Sequence, residues 1–239
     1  MSSNKKIALF GATGNTGREF LPAALSAGYQ VRALLRSPSK VADQDGVEKV
    51  QGDLLSAEDV AAVIEGCDIV VFLVNVPRKT KKGSKLDGFT SKALKAVVAG
   101  MEKHNVRRLL YQGGGFTLFK GDPPTPCFVG CCIRDCILSR CLGESIALQE
   151  NQVVADFLQT KNSSIDWTFT RPGMLEHKPA RGPAVSAKNA NTTVTFKDLA
   201  AWEVQLIGDD NTIHTSPMVG YPPKGASNPL HSSTGASKD

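Results

Sequence analysis

Short apolar runs alternate with stretches of helical period along most of the chain, and that rhythm predicts the elements. Lys6 to Phe10 (KIALF) reads as a buried strand ending in glycine. Arg18 to Ala27 has helical spacing, Gln30 to Leu35 (QVRALL) is a second strand, and Val47 to Gln51 is a third, followed by Gly52-Asp53. Ala57 to Glu65 is helical. Asp68 to Val74 (DIVVFLV) is almost wholly apolar, which suits a strand covered on both faces. Ser84 to His104 fits a long helix, and Val106 to Tyr111 a fifth strand stopped by Gly113-Gly114-Gly115. Gly130 to Thr160 is largely helical, and Ile165 to Thr170 is a sixth strand closed by Arg171-Pro172-Gly173. Strands separated by helices in this way predict an α/β fold, a doubly wound parallel sheet covered on both faces.

Beyond Pro172 the pattern shortens. Thr192 to Phe196 (TTVTF) reads as a strand, Lys197 to Ile207 as a helix and Thr212 to Val219 as another strand. From Pro222 onward the chain is Pro, Gly, Ser, Lys and Asn without a core pattern, so residues 223–239 are expected to form a disordered tail. No repeat and no linker divides residues 1–222, which are expected to form one domain with a small C-terminal substrate lobe.

Composition changes this picture little. The chain has 239 residues, 41% hydrophobic and 21% charged, enough for a sizeable core. No run of 18 apolar residues occurs, so no membrane span is expected. The first six residues lead straight into a strand with no signal-peptide core, which places the chain in the cytoplasm as an expectation. In that compartment the six cysteines read as thiols, and no Cys-x2-Cys pair proposes a metal site.

The chemistry begins at Gly11-Ala12-Thr13-Gly14-Asn15-Thr16-Gly17, between the first strand and the first helix. Gly11 permits the tight turn, Gly14 lets a pyrophosphate approach the backbone, and Gly17 lets the helix pack close to the strand. The helix N-terminus offers N–H groups to phosphate. Gly11, Thr13, Gly14, Asn15 and Thr16 are therefore candidate dinucleotide contacts. An NAD site calls for a carboxylate at the end of the second strand. This chain instead has Leu34-Leu35-Arg36-Ser37-Pro38-Ser39-Lys40, and a guanidinium at Arg36 suits a 2′-phosphate. The expected cofactor is NADP(H). Asp53 and Leu54, after the third strand, are expected beside the adenine; the alternative is an Asp capping the next helix, although Ser56 is the better placed cap.

Ligands of a doubly wound sheet lie beyond the carboxyl ends of its strands. Val74, Asn75, Gln112, Gly113 and the segment Pro172 to His177 all fall there. Asn75 and Gln112 are candidates to hydrogen-bond a carboxamide or a substrate oxygen, or else to satisfy local backbone. Pro172 and Met174 are expected to wall the nicotinamide. His177 is the histidine candidate for a proton donor, against the plainer reading of a solvent-exposed loop residue.

The segments GATGNTG, LLRSPSK, GDLLSAEDVAAVIEGCDIVVFLV and WTFTRPGM resemble the atypical short-chain dehydrogenase/reductases. The likeness is to the NAD(P)H-binding, NmrA-like group that includes the biliverdin-IXβ/flavin reductases. It runs from about Lys5 to Tyr221 and is loosest between Gly113 and Val153. The resemblance implies a single Rossmann domain binding NADP(H), with a small C-terminal lobe over the nicotinamide. The chain departs from the wider family's Ser-Tyr-Lys set. None of Tyr29, Tyr111 and Tyr221 has a lysine four residues on, the serine position is filled by Gly113-Gly114-Gly115, and the lysine position maps near Asn151.

Two segments are distinctive. Arg78 to Lys85 carries five positive charges in eight residues, against a net charge of +5 for the chain. It reads as a solvated loop or as a guide for phosphates. Nucleic-acid binding would need aromatic platforms or a recognisable module beside it, and neither is there. Five cysteines (Cys127, Cys131, Cys132, Cys136 and Cys141) fall within Thr125–Gly143, which is expected to pack small thiols in a lid or a homodimer contact. The expected function is an NADPH-dependent oxidoreductase passing hydride to a flat conjugated or carbonyl small molecule. A redox-neutral isomerase, epimerase or cyclase and a non-enzymatic NADP(H)-sensing regulator remain the alternatives.

Overall fold

Six parallel strands form the central sheet: β1 (Lys6–Phe10), β2 (Gln30–Leu35), β3 (Val47–Gln51), β4 (Ile69–Phe72), β5 (Arg108–Gln112) and β6 (Asp166–Thr170). They lie in the order β3-β2-β1-β4-β5-β6, so the chain reverses direction across the sheet between β1 and β4. This is the doubly wound, Rossmann-type α/β sheet expected from the alternation. The computed structural model describes residues 5–77, 80, 82–122, 145–187 and 193–222. The cysteine-rich segment 127–141, the tail 223–239 and Arg78, Lys79 and Lys81 of the basic loop lie outside them.

Alternate residues of each strand feed opposite faces. Ile7, Leu9, Val31, Ala33, Val71 and Leu110 pack beneath α1 (Asn15–Ser26) and α5 (Phe196–Ile207). Ala8, Phe10, Val70, Phe72, Leu109, Tyr111 and Phe169 pack beneath α2 (Ala57–Ile64), α3 (Phe89–Lys103) and α4 (Ser145–Gln159). All four β4 residues are buried, as their unbroken apolar run requires. Each fully buried Leu, Ile or Phe contributes about 1.5–3 kcal/mol. On the second face the rings form a ladder. Phe10, Phe72, Tyr111 and Phe169 follow one another across four strands at centroid separations of 6.2, 5.6 and 4.8 Å. Phe119 closes edge-on against Phe169 at 4.9 Å.

Element ends follow local chemistry. Ser56 caps α2 by accepting the Asp59 N–H at 3.2 Å, and Thr195 caps α5 by accepting the Asp198 N–H at 3.1 Å. The helix expected from Ser84 begins at Phe89, because Gly88 turns the chain in the left-handed region (φ 77°). The first helix starts at Asn15 rather than Arg18, directly on the glycine loop. Of the helix expected over 130–160, the described part is Ser145–Gln159.

The C-terminal part adds two small pairs that the sequence reading drew differently. β7 (Leu175–Glu176) runs parallel to β9 (Val194–Thr195), and β8 (Val185–Ala187) runs antiparallel to β10 (Met218–Gly220). The strand expected over Thr212–Val219 is a 3-10 turn at Asp210–Thr212 followed by the short β10. Asp198 holds this region together. Its Oδ2 accepts from Tyr221 Oη at 2.6 Å, Thr195 Oγ1 at 2.8 Å and the Arg181 N–H at 2.8 Å. Arg181 stacks over the Tyr221 ring at 5.5 Å and pairs with Glu176. No helix among the described residues is long and apolar enough to cross a membrane.

Candidate functional site

The glycine loop sits at the carboxyl end of β1, beside the point where the strand order reverses. Gly11 has φ 101°, and a Cβ there would press within 3.0 Å of the Leu73 carbonyl and the Val74 side chain. Gly17 is tighter still: a Cβ would fall 2.1 Å from the Gly11 carbonyl oxygen. Gly14 is the N-cap of α1 and supplies no side-chain cap, and no acidic residue occupies the first turn. The first-turn N–H groups of a helix have no intrahelical acceptor, so this end is bare, positive and open to an anion. The Arg18 Nε donates to the Thr13 carbonyl at 3.1 Å and braces the loop from outside. Gly14 and Asn15 are exposed, Gly11 and Thr13 half-buried, and Thr16 buried. These features fit a pyrophosphate; a side chain at position 11 would press on the chain after β4, and one at position 17 would push the loop off the helix.

Arg36 is exposed just past the end of β2, next to the 3-10 turn Pro38–Lys40. Asp53 is exposed after β3; its Oδ1 accepts the Leu55 N–H at 2.9 Å and its own N–H donates to Asp59 at 2.8 Å. Much of its hydrogen bonding is thus local. Leu54 packs half-buried against the second core face.

The ends of β4 and β5 are joined by side chains. The Asn75 Nδ2 donates to the Gln112 carbonyl at 2.7 Å, so its amide nitrogen serves the backbone. The Tyr111 hydroxyl donates to Asn151 Oδ1 on α4 at 2.8 Å, with Asn75 Oδ1 farther off at 3.4 Å. Burial holds the Tyr111 phenol protonated well above its ordinary range, with the Glu150 charge adding to the effect. Gln112 follows Leu110 onto the α1/α5 face. It is buried, and its Oε1 has no hydrogen-bond partner. Gly113 is glycine for a steric reason: a Cβ there would lie 2.1 Å from the Phe169 ring. No serine fits at that position while Phe169 stands behind it.

Beneath the same strand ends lies Glu203 of α5, with no exposed surface. Its Oε1 accepts from Thr170 Oγ1 at 2.7 Å, and its Oε2 has no partner. Burial pushes its carboxyl up to about 8, opposed only by the Thr170 hydrogen bond.

The far wall is pinned by Arg171, which sequence reasoning took only as the end of a strand. Its guanidinium donates to both Asp122 oxygens at 2.6 and 3.3 Å, to the Thr117 carbonyl at 3.1 Å and to the Ser216 carbonyl at 2.7 Å. It also lies 5.4 Å from the Phe119 ring centroid. Residues 113–122 are thereby locked over the end of β6. The Gly115 N–H donates to the buried Pro172 at 2.8 Å. Met174 is 60% exposed. His177 is exposed and rests its ring on Phe196 at 4.5 Å. The structure therefore gathers Gly11, Val74, Asn75, Gln112, Gly113 and Pro172 at the carboxyl ends of the strands. Cys67 lies elsewhere, buried in the core, where desolvation raises its thiol to about 11. Among the described residues no cluster of His, Cys, Asp or Glu could hold a metal.

The NAD(P)H-binding family matches residues 11–210. The oxidoreductase AflX of Aspergillus parasiticus is 25% identical over 226 residues, spanning 87% of this chain and 80% of its own. Among solved structures, the anaerobillin reductase ChuY of Escherichia coli superposes with a TM-score of 0.72 at 21% identity, covering 93% of this chain and all of its own. A putative epimerase of Bacteroides thetaiotaomicron gives 0.72 at 23% identity, over 92% and 98% of the two chains.

Proposed function

Because the chain belongs to the NAD(P)H-binding family, with residues 11–210 matched, we propose that it is an NADPH-dependent reductase of a conjugated or carbonyl small molecule. The observation that carries this reading is the cradle formed by Gly11, Gly14, Gly17 and the uncapped α1 N-terminus. When bound there, a reduced nicotinamide supplies a hydride, two electrons and one hydrogen. The chain's own residues bind and orient. The loop N–H groups take the pyrophosphate, and Arg36 takes the 2′-phosphate in a region with no competing carboxylate at the end of β2. Gly113 and Pro172 give the nicotinamide a flat backbone wall. Reducing a planar acceptor in this setting depends on stacking it against the ring at the right distance. That agrees with the absence of a Tyr-x-x-x-Lys pair in the sequence.

Titration with NADP+ and NAD+ tests the cofactor. NADP+ is expected to bind at least tenfold tighter, and Arg36→Ala is expected to remove most of that margin, roughly 1–3 kcal/mol for a charge-assisted contact. Equal affinities for the two cofactors would refute the NADP(H) assignment. NADPH oxidation with an enone, a naphthoquinone and flavin mononucleotide tests the reaction. A product formed without NADPH consumption would favour the redox-neutral alternative.

A further inference from the structure

Asn151 is 6% exposed, on α4 against the end of β5. One end of its amide is fixed. The fully buried Tyr111 hydroxyl has a single proton and gives it to the nearer acceptor, Asn151 Oδ1 at 2.8 Å. Asn75 turns only its acceptor Oδ1 toward the same hydroxyl, at 3.4 Å, while its Nδ2 points to the Gln112 carbonyl. With Oδ1 turned to Tyr111, the Asn151 Nδ2 faces Gly114, 3.4 Å from where a Cβ on that residue would sit. No acceptor among the described residues receives its N–H groups. The residue is almost fully buried while its amide nitrogen is left to bond a ligand or water.

The place matters. Arg36 is at β2 and the phosphate cradle is at β1, so a dinucleotide held by both would run over β4 toward β5, two strand spacings or about 10 Å beyond the loop. Gly114, half-buried just past the end of β5, therefore lies where the reacting end would meet its acceptor. We infer that Asn151 is a catalytic residue whose amide N–H binds and polarises the carbonyl-type oxygen of the acceptor, while Tyr111 is the positioning residue that aims it. This rests on the reductase reading and narrows the substrate to acceptors with a carbonyl oxygen conjugated to the carbon that takes hydride. Hydride adds to that carbon with its two electrons, a π bond opens, and the displaced electron pair settles on the oxygen. The nicotinamide is oxidised and the acceptor reduced. The Asn151 N–H steadies the growing negative charge. An amide keeps its proton at neutral pH, so water supplies the proton that completes the product.

The test compares Asn151→Asp, Gly114→Ala and the native chain. Asn151→Asp keeps the size and the acceptor for Tyr111 but loses the donor. Gly114→Ala leaves Asn151 intact and sets a methyl group at ordinary contact distance in front of the amide. Steady-state kinetics would use NADPH with 2-cyclohexenone and 2-methyl-1,4-naphthoquinone, and calorimetric titration would give the NADP+ Kd. Asn151→Asp is expected to lower kcat about a hundredfold, as loss of one such donor does, with the NADP+ Kd changed less than twofold. Gly114→Ala is expected to raise the acceptor KM without moving the melting temperature. Unchanged kcat in a folded Asn151→Asp variant would overturn the inference alone. So would an NADP+ Kd that rises as kcat falls, since the donor would then hold a ribose hydroxyl of the cofactor. If the native chain binds NADP+ yet reduces neither acceptor, the reductase reading falls and this inference with it.

Discussion

Glu203→Gln should gain stability relative to the native chain as the solution becomes more alkaline, and the structure sets the size of the effect. The native carboxyl is fully buried, accepts one hydrogen bond from Thr170, and is raised from the ordinary value near 4.5 to about 8. Between those two pH values the unfolded chain has released the proton that the folded chain still holds. Stability must therefore fall as pH rises through that window and level off above about 8. At 1.36 kcal/mol per pH unit, the full loss is ~5 kcal/mol. Glutamine keeps an oxygen for the Thr170 hydroxyl and does not titrate, so it is spared this loss. Any constant cost of the new amide shifts the whole curve without changing its slope. Urea unfolding of both proteins at intervals from pH 5 to 9, with the free energies subtracted, isolates this one group because every other titration cancels. The difference should move in favour of the variant by about 4 kcal/mol between pH 5 and 8.5. Parallel curves would refute the reasoning and mean that Glu203 ionises in the folded protein as readily as in the unfolded chain.

Other perturbations follow from the same geometry. Gly17→Ala drives a methyl to 2.1 Å from the Gly11 carbonyl; it should cost about 3 kcal/mol or more and weaken NADP+ binding, read by thermal melting with and without cofactor. Asp122→Asn leaves Arg171, whose side chain is only 8% exposed, without its ion partner. A loss of about 2–4 kcal/mol is expected, together with faster proteolysis in residues 113–122, and an unchanged unfolding midpoint would contradict the locking role given to this pair.

What could be read from the chain was whatever depends on neighbours in sequence. The limits of β2 and β3 followed from their apolar residues, and the glycine spacing named the cradle because each glycine answers a local steric demand. Asn151 stood out as the residue near the family's lysine position, but its meaning did not. Its partner Tyr111 lies 40 residues earlier, and no periodicity pairs a strand residue with one helix face. Arg171 and Asp122 were opaque for the same reason, being 49 residues apart. Glu203 was invisible because a single acid on an amphipathic helix is normally placed toward water. The short β7 to β10 pairs escaped because two- and three-residue strands leave no alternation to detect.

The close approach of Phe169 to Gly113 constrains the order in which this sequence can change. No residue larger than glycine can enter position 113 while the ring stands 2.1 Å from its would-be Cβ. Phe169 is in turn wedged between Tyr111 and Phe119, so it cannot shrink without opening a void in the ladder. A lineage acquiring a hydroxyl at position 113 must first pass through a smaller residue at 169 and bear that void for a time. The route from a glycine wall to a serine is thus a two-step path with a less stable middle. Descendants would be expected to change both positions or neither.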